Sequence, residues 1–337
     1  MTTVRVSAPG KLFLLGEYAV LEGAPALLTA VDRRATVTAT ASASWRLTAR
    51  ELGIEALPLG QAGALPSDLD AATRSSLTLF DAVRTSVAAV VTTPRGRPLD
   101  LVIDTAALHR DGHKLGLGSS AAVATALTAA LTSAGGLGLD RDALFAIASA
   151  AHHAAQDRSG SGGDIAAAVH GGLLLYTPGE SPVSATWPSE LALFAVMTGT
   201  GSSTVDLVAR VAGYREREPL AYGRDLDALC ALAAEADEAL ADTDAFLALA
   251  DEYFHALEAL GAHADAGIVT ERHQELRPLA AASGAVFKPT GAGGGDLGLV
   301  FAKLGATDAL QSAFARAGAA VIPVPYSPDG VRIEAAA

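Results

Sequence analysis

The chain has 337 residues, half of them hydrophobic, and 24 Lys and Arg stand against 37 Asp and Glu for a formal net charge of −13. That length allows one large or two medium domains around a sizeable core. The acidic balance, with no Lys/Arg-rich run, excludes nonspecific nucleic-acid binding, so any anion must be met by local cations.

Residues 3–15 alternate and then turn apolar (Val4, Val6, then Leu12 to Leu15), and 26–48 carry Val31, Thr36, Val37 and Thr38, a strand pattern. Residues 68–92 read as helix, 99–104 as a short strand, 119–134 as a helix stopped by Gly135-Gly136, and 142–156 as another helix. A strand is expected at 171–176. The Pro- and Ser-rich stretch 178–190 is the expected boundary between residues 1–180 and 181–337. Beyond it come a strand (191–197), helices (204–212, 224–241, 244–260, 270–282), a strand (298–302), a helix (307–317) and a last strand (319–324). Interleaved helices and strands indicate an α+β or mixed α/β protein of two domains. The uncharged stretch 115–139 is too rich in Gly, Ser, Thr and Ala to span a membrane, and it reads as a loop followed by a buried helix. The N-terminus has no long apolar core of the signal-peptide kind, so a cytoplasmic protein with no membrane partner is expected. Cys230, the one cysteine, excludes an intrachain disulfide and suits a buried structural thiol.

Three segments carry chemistry. In the first, Lys114-Leu115-Gly116-Leu117-Gly118-Ser119-Ser120-Ala121-Ala122, glycines precede a helix whose N-terminus favours anions. It is no Walker A loop, because the lysine comes before the glycines, and its loose GxGxxA match lacks the apolar strand that a dinucleotide site requires. Nucleotide phosphate, a dinucleotide and a plain turn all stay open on this loop alone. The second segment is Pro9-Gly10-Lys11-Leu12 running to Gly16-Glu17-Tyr18-Ala19-Val20. The third, Lys288-Pro289-Thr290-Gly291-Ala292-Gly293-Gly294-Gly295-Asp296, puts four glycines in five positions, an entropic cost that points to a ligand or a close backbone approach. Adjacent His152 and His153 face different ways on a helix and make a poor zinc pair.

In this order and at these separations, PGKLFLLGEYAVLEG, GLGSSAA and GAGGGD resemble the GHMP kinase superfamily of small-molecule kinases, over nearly the whole chain. The resemblance implies an α+β, two-domain fold, with an N-terminal ribosomal-protein-S5-like, ATP-binding domain and a C-terminal ferredoxin-like domain. It implies ATP and Mg²⁺ as cofactors, a small-molecule substrate, and a monomer or homodimer. Gly160-Ser161-Gly162-Gly163-Asp164-Ile165-Ala166 and the turn from Thr198 to Thr204 are similar to segments of the phosphomevalonate kinases. That branch implies phosphomevalonate as acceptor and diphosphomevalonate as product, with mevalonate as the alternative acceptor and a noncatalytic sensor as the distant one.

By the same resemblance, Lys11 and Asp164 are the catalytic pair. Lys114, Gly116, Leu117, Gly118, Ser119, Ser120 and Ala121 wrap the nucleotide, and Ser120 and Asp164 hold the metal. Lys11, His113, Ser161, Gly162, Ser202, Ser203, Thr204, Lys288, Gly291, Gly293 and Gly294 meet the acceptor, with Arg33 a further candidate cation. The glutamate by which mevalonate kinases help hold Mg²⁺ has no secure counterpart in the stretch 152–157. Ser120 read structurally is a helix N-cap.

Overall fold

The computed structural model describes residues 3–91, 97–156, 160–199, 204–295 and 297–334. In chain order the strands are β1 (Thr3–Leu15), β2 (Ala26–Ala41), β3 (Arg46–Ala49), β4 (Ile54–Pro58), β5 (Leu99–Asp104), β6 (His109–Arg110), β7 (His113–Lys114), β8 (Leu173–Tyr176), β9 (Val183–Ala185), β10 (Leu191–Met197), β11 (Val286–Pro289), β12 (Leu297–Lys303), β13 (Val321–Ile322) and β14 (Arg332–Glu334). The α-helices are α1 (Ala71–Ser76), α2 (Thr78–Val90), α3 (Ser119–Ala134), α4 (Arg141–Ala155), α5 (Gly163–His170), α6 (Thr204–Arg217), α7 (Pro219–Ala234), α8 (Ala236–Ala239), α9 (Thr243–His263), α10 (Glu271–Ala281) and α11 (Thr307–Arg316).

The chain divides into two compact units, one of Met1–Lys11, Ala30–Gly172 and Tyr326–Ala337, the other of Leu12–Thr29 and Leu173–Pro325. The composition-based division at 180/181 is continuous, whereas these units exchange chain. Residues 12–29 join the second unit because Ala26–Thr29 pair with Leu173–Tyr176. The C-terminal segment returns to the first unit because β14 pairs with β1, Arg5 opposite Glu334.

In the first unit the strand order is β14-β1-β2-β5-β3-β4. Helices α2 to α5 pack on one another, α3 touching α2, α4 and α5. Helix α3 is the uncharged stretch seen in the sequence. Its side chains from Ala121 to Thr132 are buried except Val123, and Thr128 and Thr132 donate their hydroxyls to the carbonyls of Ala124 and Thr128, which satisfies them without a charge. Arg34 ties down the C-terminal segment by donating to Ser7 Oγ (3.0 Å), Ser327 Oγ (3.1 Å) and the Gly330 carbonyl. No helix among the described residues is long and apolar enough to cross a membrane.

The second unit is built on an antiparallel sheet of order β11-β12-β10-β13. Phe194, Val196, Phe287 and Val300 from its strands meet Leu276 of α10 and Phe314 of α11 in one apolar core. Helix α9 lies against β11 and buries Phe246, Tyr253 and Phe254. The periodicity located most of these elements. It extended one helix over 224–241, where α7 and α8 break at Glu235, and it did not anticipate α5 or the β6–β7 hairpin.

Helix α10 begins in a capping box: His273 N–H donates to Thr270 Oγ1, and His273 Nδ1 accepts from Thr270 N–H (3.0 Å). Burial, and then the nearby Lys288 charge, lower the His273 pKa from 6.5 to about 4. The native state therefore takes up this proton less readily than the unfolded chain. Its contribution to stability is full above about pH 6.5 and is lost as pH falls towards 4, a loss of roughly 2–4 kcal/mol. Urea unfolding between pH 7.5 and 4 is expected to show that decline, and His273→Gln, which keeps the cap but cannot charge, should flatten this part of it.

Candidate active site

Strand β1 brings Lys11 against the loop that precedes α3. The Lys11 N–H donates to the Leu117 carbonyl at 2.9 Å. Two glycines permit this approach. A Cβ on Gly10 would lie 2.7 Å from the Leu117 oxygen, and one on Gly118 would lie 2.8 Å from Lys11 Cε. Gly118 also has φ +72, so it serves both as a left-handed N-cap of α3 and as the floor under the lysine stem. The stem delivers the ammonium to 3.2 Å from Asp164 Oδ1, with the lysine side chain 10% exposed and the aspartate 28%.

Asp164 is the second residue of α5, whose N-cap is Gly162 at φ +87. The positive end of the helix favours the carboxylate there. Ser161 Oγ accepts from the Gly163 N–H at 3.3 Å, so Ser161 and Gly162 shape the turn that presents Asp164. The sequence-derived catalytic pair is thus assembled in the first unit.

Ser120 is not the N-cap of α3, a place taken by Gly118, and no side chain caps that helix. Its Oγ lies 3.1 Å from His152 Nε2, and Gln156 Nε2 lies 3.2 Å from the same ring nitrogen. His152 is only 6% exposed. Burial lowers its pKa, Asp164 opposes that, and His153 and Lys11 reinforce it, which keeps the imidazole neutral. The sequence offered His152 as a poor zinc ligand and as part of a stretch with no secure counterpart to the Mg²⁺-holding glutamate, and it did not reveal this contact. The available signal was a polar pair, His152 and Gln156, one helical turn apart on an otherwise Ala-rich stretch.

The other residues of the loop divide by exposure. Leu117 and Ala121 are 1% exposed, so their side chains belong to the core and they can offer a ligand backbone groups alone. Gly116 has φ +70, and Ser119 is half-buried at the first position of α3. His113 and Lys114 are exposed on the β6–β7 hairpin, turned by Asp111 and Gly112, both at positive φ. Arg33 donates to the Ala107 carbonyl at 3.1 Å.

In the second unit one expectation is corrected. Lys288 does not present a cation to an acceptor: it is 0% exposed, its ammonium pairs with the buried Glu17, and it also donates to the Pro289 carbonyl at 2.7 Å. Burial lowers its pKa and Glu17 resists the shift. The glycine loop that follows is held at several points. Thr290 Oγ1 donates to the Phe13 carbonyl, Tyr18 OH to Ala292 and Thr198 Oγ1 to Gly295, each at 2.7 Å. Gly294 N–H donates to the Ile268 carbonyl at 3.0 Å. A Cβ on Gly293 would lie 2.4 Å from that same Ile268 oxygen, whereas one on Gly291 meets open space. Thr204 is the exposed first residue of α6, and Ser202 and Ser203 lie outside the described residues.

Among the described residues no three His, Cys, Asp or Glu side chains converge as a metal-binding group. Ser120 Oγ and the Asp164 carboxylate are hard oxygen donors whose chemistry fits Mg²⁺, which takes one or two protein oxygens and completes its shell with water and phosphate.

Comparison with known proteins bears on this arrangement. A family model described as the GHMP kinases N terminal domain matches residues 86–172. The chain is 32% identical over 365 residues to the phosphomevalonate kinase of Streptomyces sp. (strain CL190), covering 97% of each. It is 30% identical over 349 residues to the mevalonate kinase of Pyrococcus abyssi, covering 98% of each. Among solved structures it is similar to Streptococcus pneumoniae phosphomevalonate kinase in complex with phosphomevalonate and AMPPNP, with a TM-score of 0.79 at 22% identity over 99% of this chain and 100% of that one. The fold is the α+β, two-domain one that the motif resemblance implied.

Removing one partner of a fully buried ion pair costs about 3–5 kcal/mol, while replacing both with groups of similar volume is close to neutral. Lys288→Met is therefore expected to lower the free energy of urea unfolding by that amount, and Glu17→Met combined with Lys288→Met, which leaves no buried charge, to recover most of it.

Proposed function

The chain belongs to the GHMP kinase family, and from that premise we propose that it transfers the γ-phosphoryl group of ATP to the phosphate of phosphomevalonate. A non-bridging oxygen of the acceptor phosphate forms the new bond to the γ-phosphorus while the bond to the β–γ bridging oxygen breaks. Diphosphomevalonate and ADP result. The observation that carries this reading is the Lys11–Asp164 pair at 3.2 Å, with the lysine stem laid across the loop that starts α3. The similarity to the Streptomyces phosphomevalonate kinase over 97% of both chains supports the choice of acceptor.

Phosphoryl transfer asks the protein mainly for positioning and charge stabilisation. The acceptor is a phosphomonoester whose second pKa is near 6, by analogy with phosphorylated side chains, so it is already largely ionised at neutral pH. Such a nucleophile needs no strong base. Asp164 then serves to orient the Lys11 ammonium and, with Ser120, to hold Mg²⁺. When bound, that cation would supply positive charge to offset that of the phosphates. Lys11 steadies the negative charge on the migrating group. Exposed Lys114 and His113 suit the second anion.

Mevalonate is the competing acceptor, favoured by the 30% identity to a full-length mevalonate kinase. An alcohol must lose its proton during transfer, so Asp164 would then act as the base.

ADP release by the purified protein, assayed with mevalonate, phosphomevalonate, galactose and homoserine, separates these readings. Turnover is expected with phosphomevalonate alone. Turnover of mevalonate but not of its phosphate replaces the proposal with the alternative, and ATP binding without any turnover points to a sensor. Lys11→Met should lower kcat by about 10²–10³-fold with a much smaller change in KM, as for removal of one donor from a developing charge.

A further inference from the structure

We propose that His152 is a positioning residue that fixes the polarity of the Ser120 hydroxyl, turning its oxygen into an outward-facing acceptor. This rests on the reading of the site as a phosphoryl-transfer centre. The hydroxyl is not spent on its own helix, because Gly118 is the N-cap. Its partner comes from α4, 32 residues further along the chain, where His152 Nε2 stands 3.1 Å from Ser120 Oγ.

The second neighbour of that ring nitrogen sets the direction of the bond. Gln156 turns its Nε2 to His152 Nε2 at 3.2 Å, and an amide nitrogen can only donate. The ring nitrogen facing it must accept, which places the imidazole proton on Nδ1 and leaves the Nε2 lone pair to the Gln156 N–H and the Ser120 O–H together. Gln156 Oε1 lies on the other side, 3.5 Å from where a Cβ on Gly160 would be. With its proton directed inward, Ser120 offers its free lone pairs outward. A hydroxyl so disposed suits a divalent cation that accompanies a nucleotide, and it does not suit donation to a phosphate oxygen.

The charge state of the ring fits the same role. The ring is buried, and an Nε2 that accepts from both Gln156 and Ser120 carries no proton, so the tautomer fixed by these contacts is the uncharged one. A neutral acceptor orients Ser120 without competing for either member of the catalytic pair.

The test is the affinity of the full chain for AMPPNP, titrated calorimetrically with and without Mg²⁺, in His152→Leu, His152→Gln, Ser120→Ala and the combined His152→Leu/Ser120→Ala protein. Loss of a group that orients a metal ligand typically costs 10–100-fold in metal affinity. The gain in affinity that Mg²⁺ gives the unaltered protein is therefore expected to shrink about tenfold in His152→Leu and Ser120→Ala alike. The Mg²⁺-free affinity should hold, the combined protein should be no worse than either single one, and His152→Gln, whose amide oxygen can accept near the Nε2 position, should keep most of the gain. An equal loss with and without Mg²⁺ overturns the proposal and makes Ser120 a phosphate donor, as the reversed Gln156 amide would require. Additive losses also overturn it, as does a lowered melting temperature with unchanged affinity. Should His152→Leu fail to fold, His152→Asn, too short to reach Ser120, carries the comparison. Binding is read without an acceptor, so the result stands whichever acceptor the enzyme uses, whereas failure of the unaltered protein to bind AMPPNP at all overturns both this inference and the phosphoryl-transfer reading beneath it.

Discussion

The candidate active site depends on a steric permission: the Lys11 side chain crosses the position where any residue but glycine at 118 would carry a Cβ, 2.8 Å from Lys11 Cε. Gly10 grants the same permission one residue earlier, against the Leu117 carbonyl. A side chain at 10 would push β1 off the loop and break the 2.9 Å bond from Lys11 N–H to Leu117, whereas one at 118 would displace the lysine stem so that the ammonium misses Asp164. Backbone contact of this kind preorganises the site, because the lysine is held in place before any ligand arrives.

The glycines of the third motif follow the same logic in the second unit. Gly293 is required by the Ile268 carbonyl, which also receives the Gly294 N–H, and Tyr18, Thr198 and Thr290 fasten the rest of the segment by their hydroxyls. The entropic cost of a run with four glycines is offset in part by these fixed contacts. Gly291 differs, since a Cβ there would meet open space, although its φ of +67 still favours glycine.

Most elements could be read from periodicity because each has one dominant environment. Helix α3 is buried almost all round, and β10 and β12 are short apolar strands bounded by turns. Helix α5 escaped notice because its eight residues begin inside a glycine run, where the pattern indicates a loop. Of the site, Lys11, Asp164, Gly118 and Ser120 were legible through their motifs. Lys288 was misread for a physical reason: a lysine beside glycines looks like an anion grip, and nothing local reveals that Glu17, 271 residues away in sequence, neutralises it in the core. His152 was missed for the mirror-image reason. Its partner Ser120 lies on another helix, and one chain's sequence does not display the register between two helices.

That pairing also bears on how an acidic protein would tolerate the two anionic substrates of the proposed reaction. A carboxylate in place of His152 would hold the Ser120 hydroxyl just as well, yet it would add negative charge beside Asp164 and compete for Lys11. A lysine there would compete for Asp164 and repel a metal. A buried imidazole, kept neutral mainly by desolvation, supplies a directional acceptor with no net charge. The Lys11–Asp164 pair is itself close to neutral, so the positive charge that offsets the incoming phosphates must come chiefly from groups that arrive with the nucleotide or stand exposed on the β6–β7 hairpin. On the phosphoryl-transfer reading, a chain of net charge −13 would thereby tie the site's attraction for anions to the exposed hairpin cations and to any metal that escorts the nucleotide.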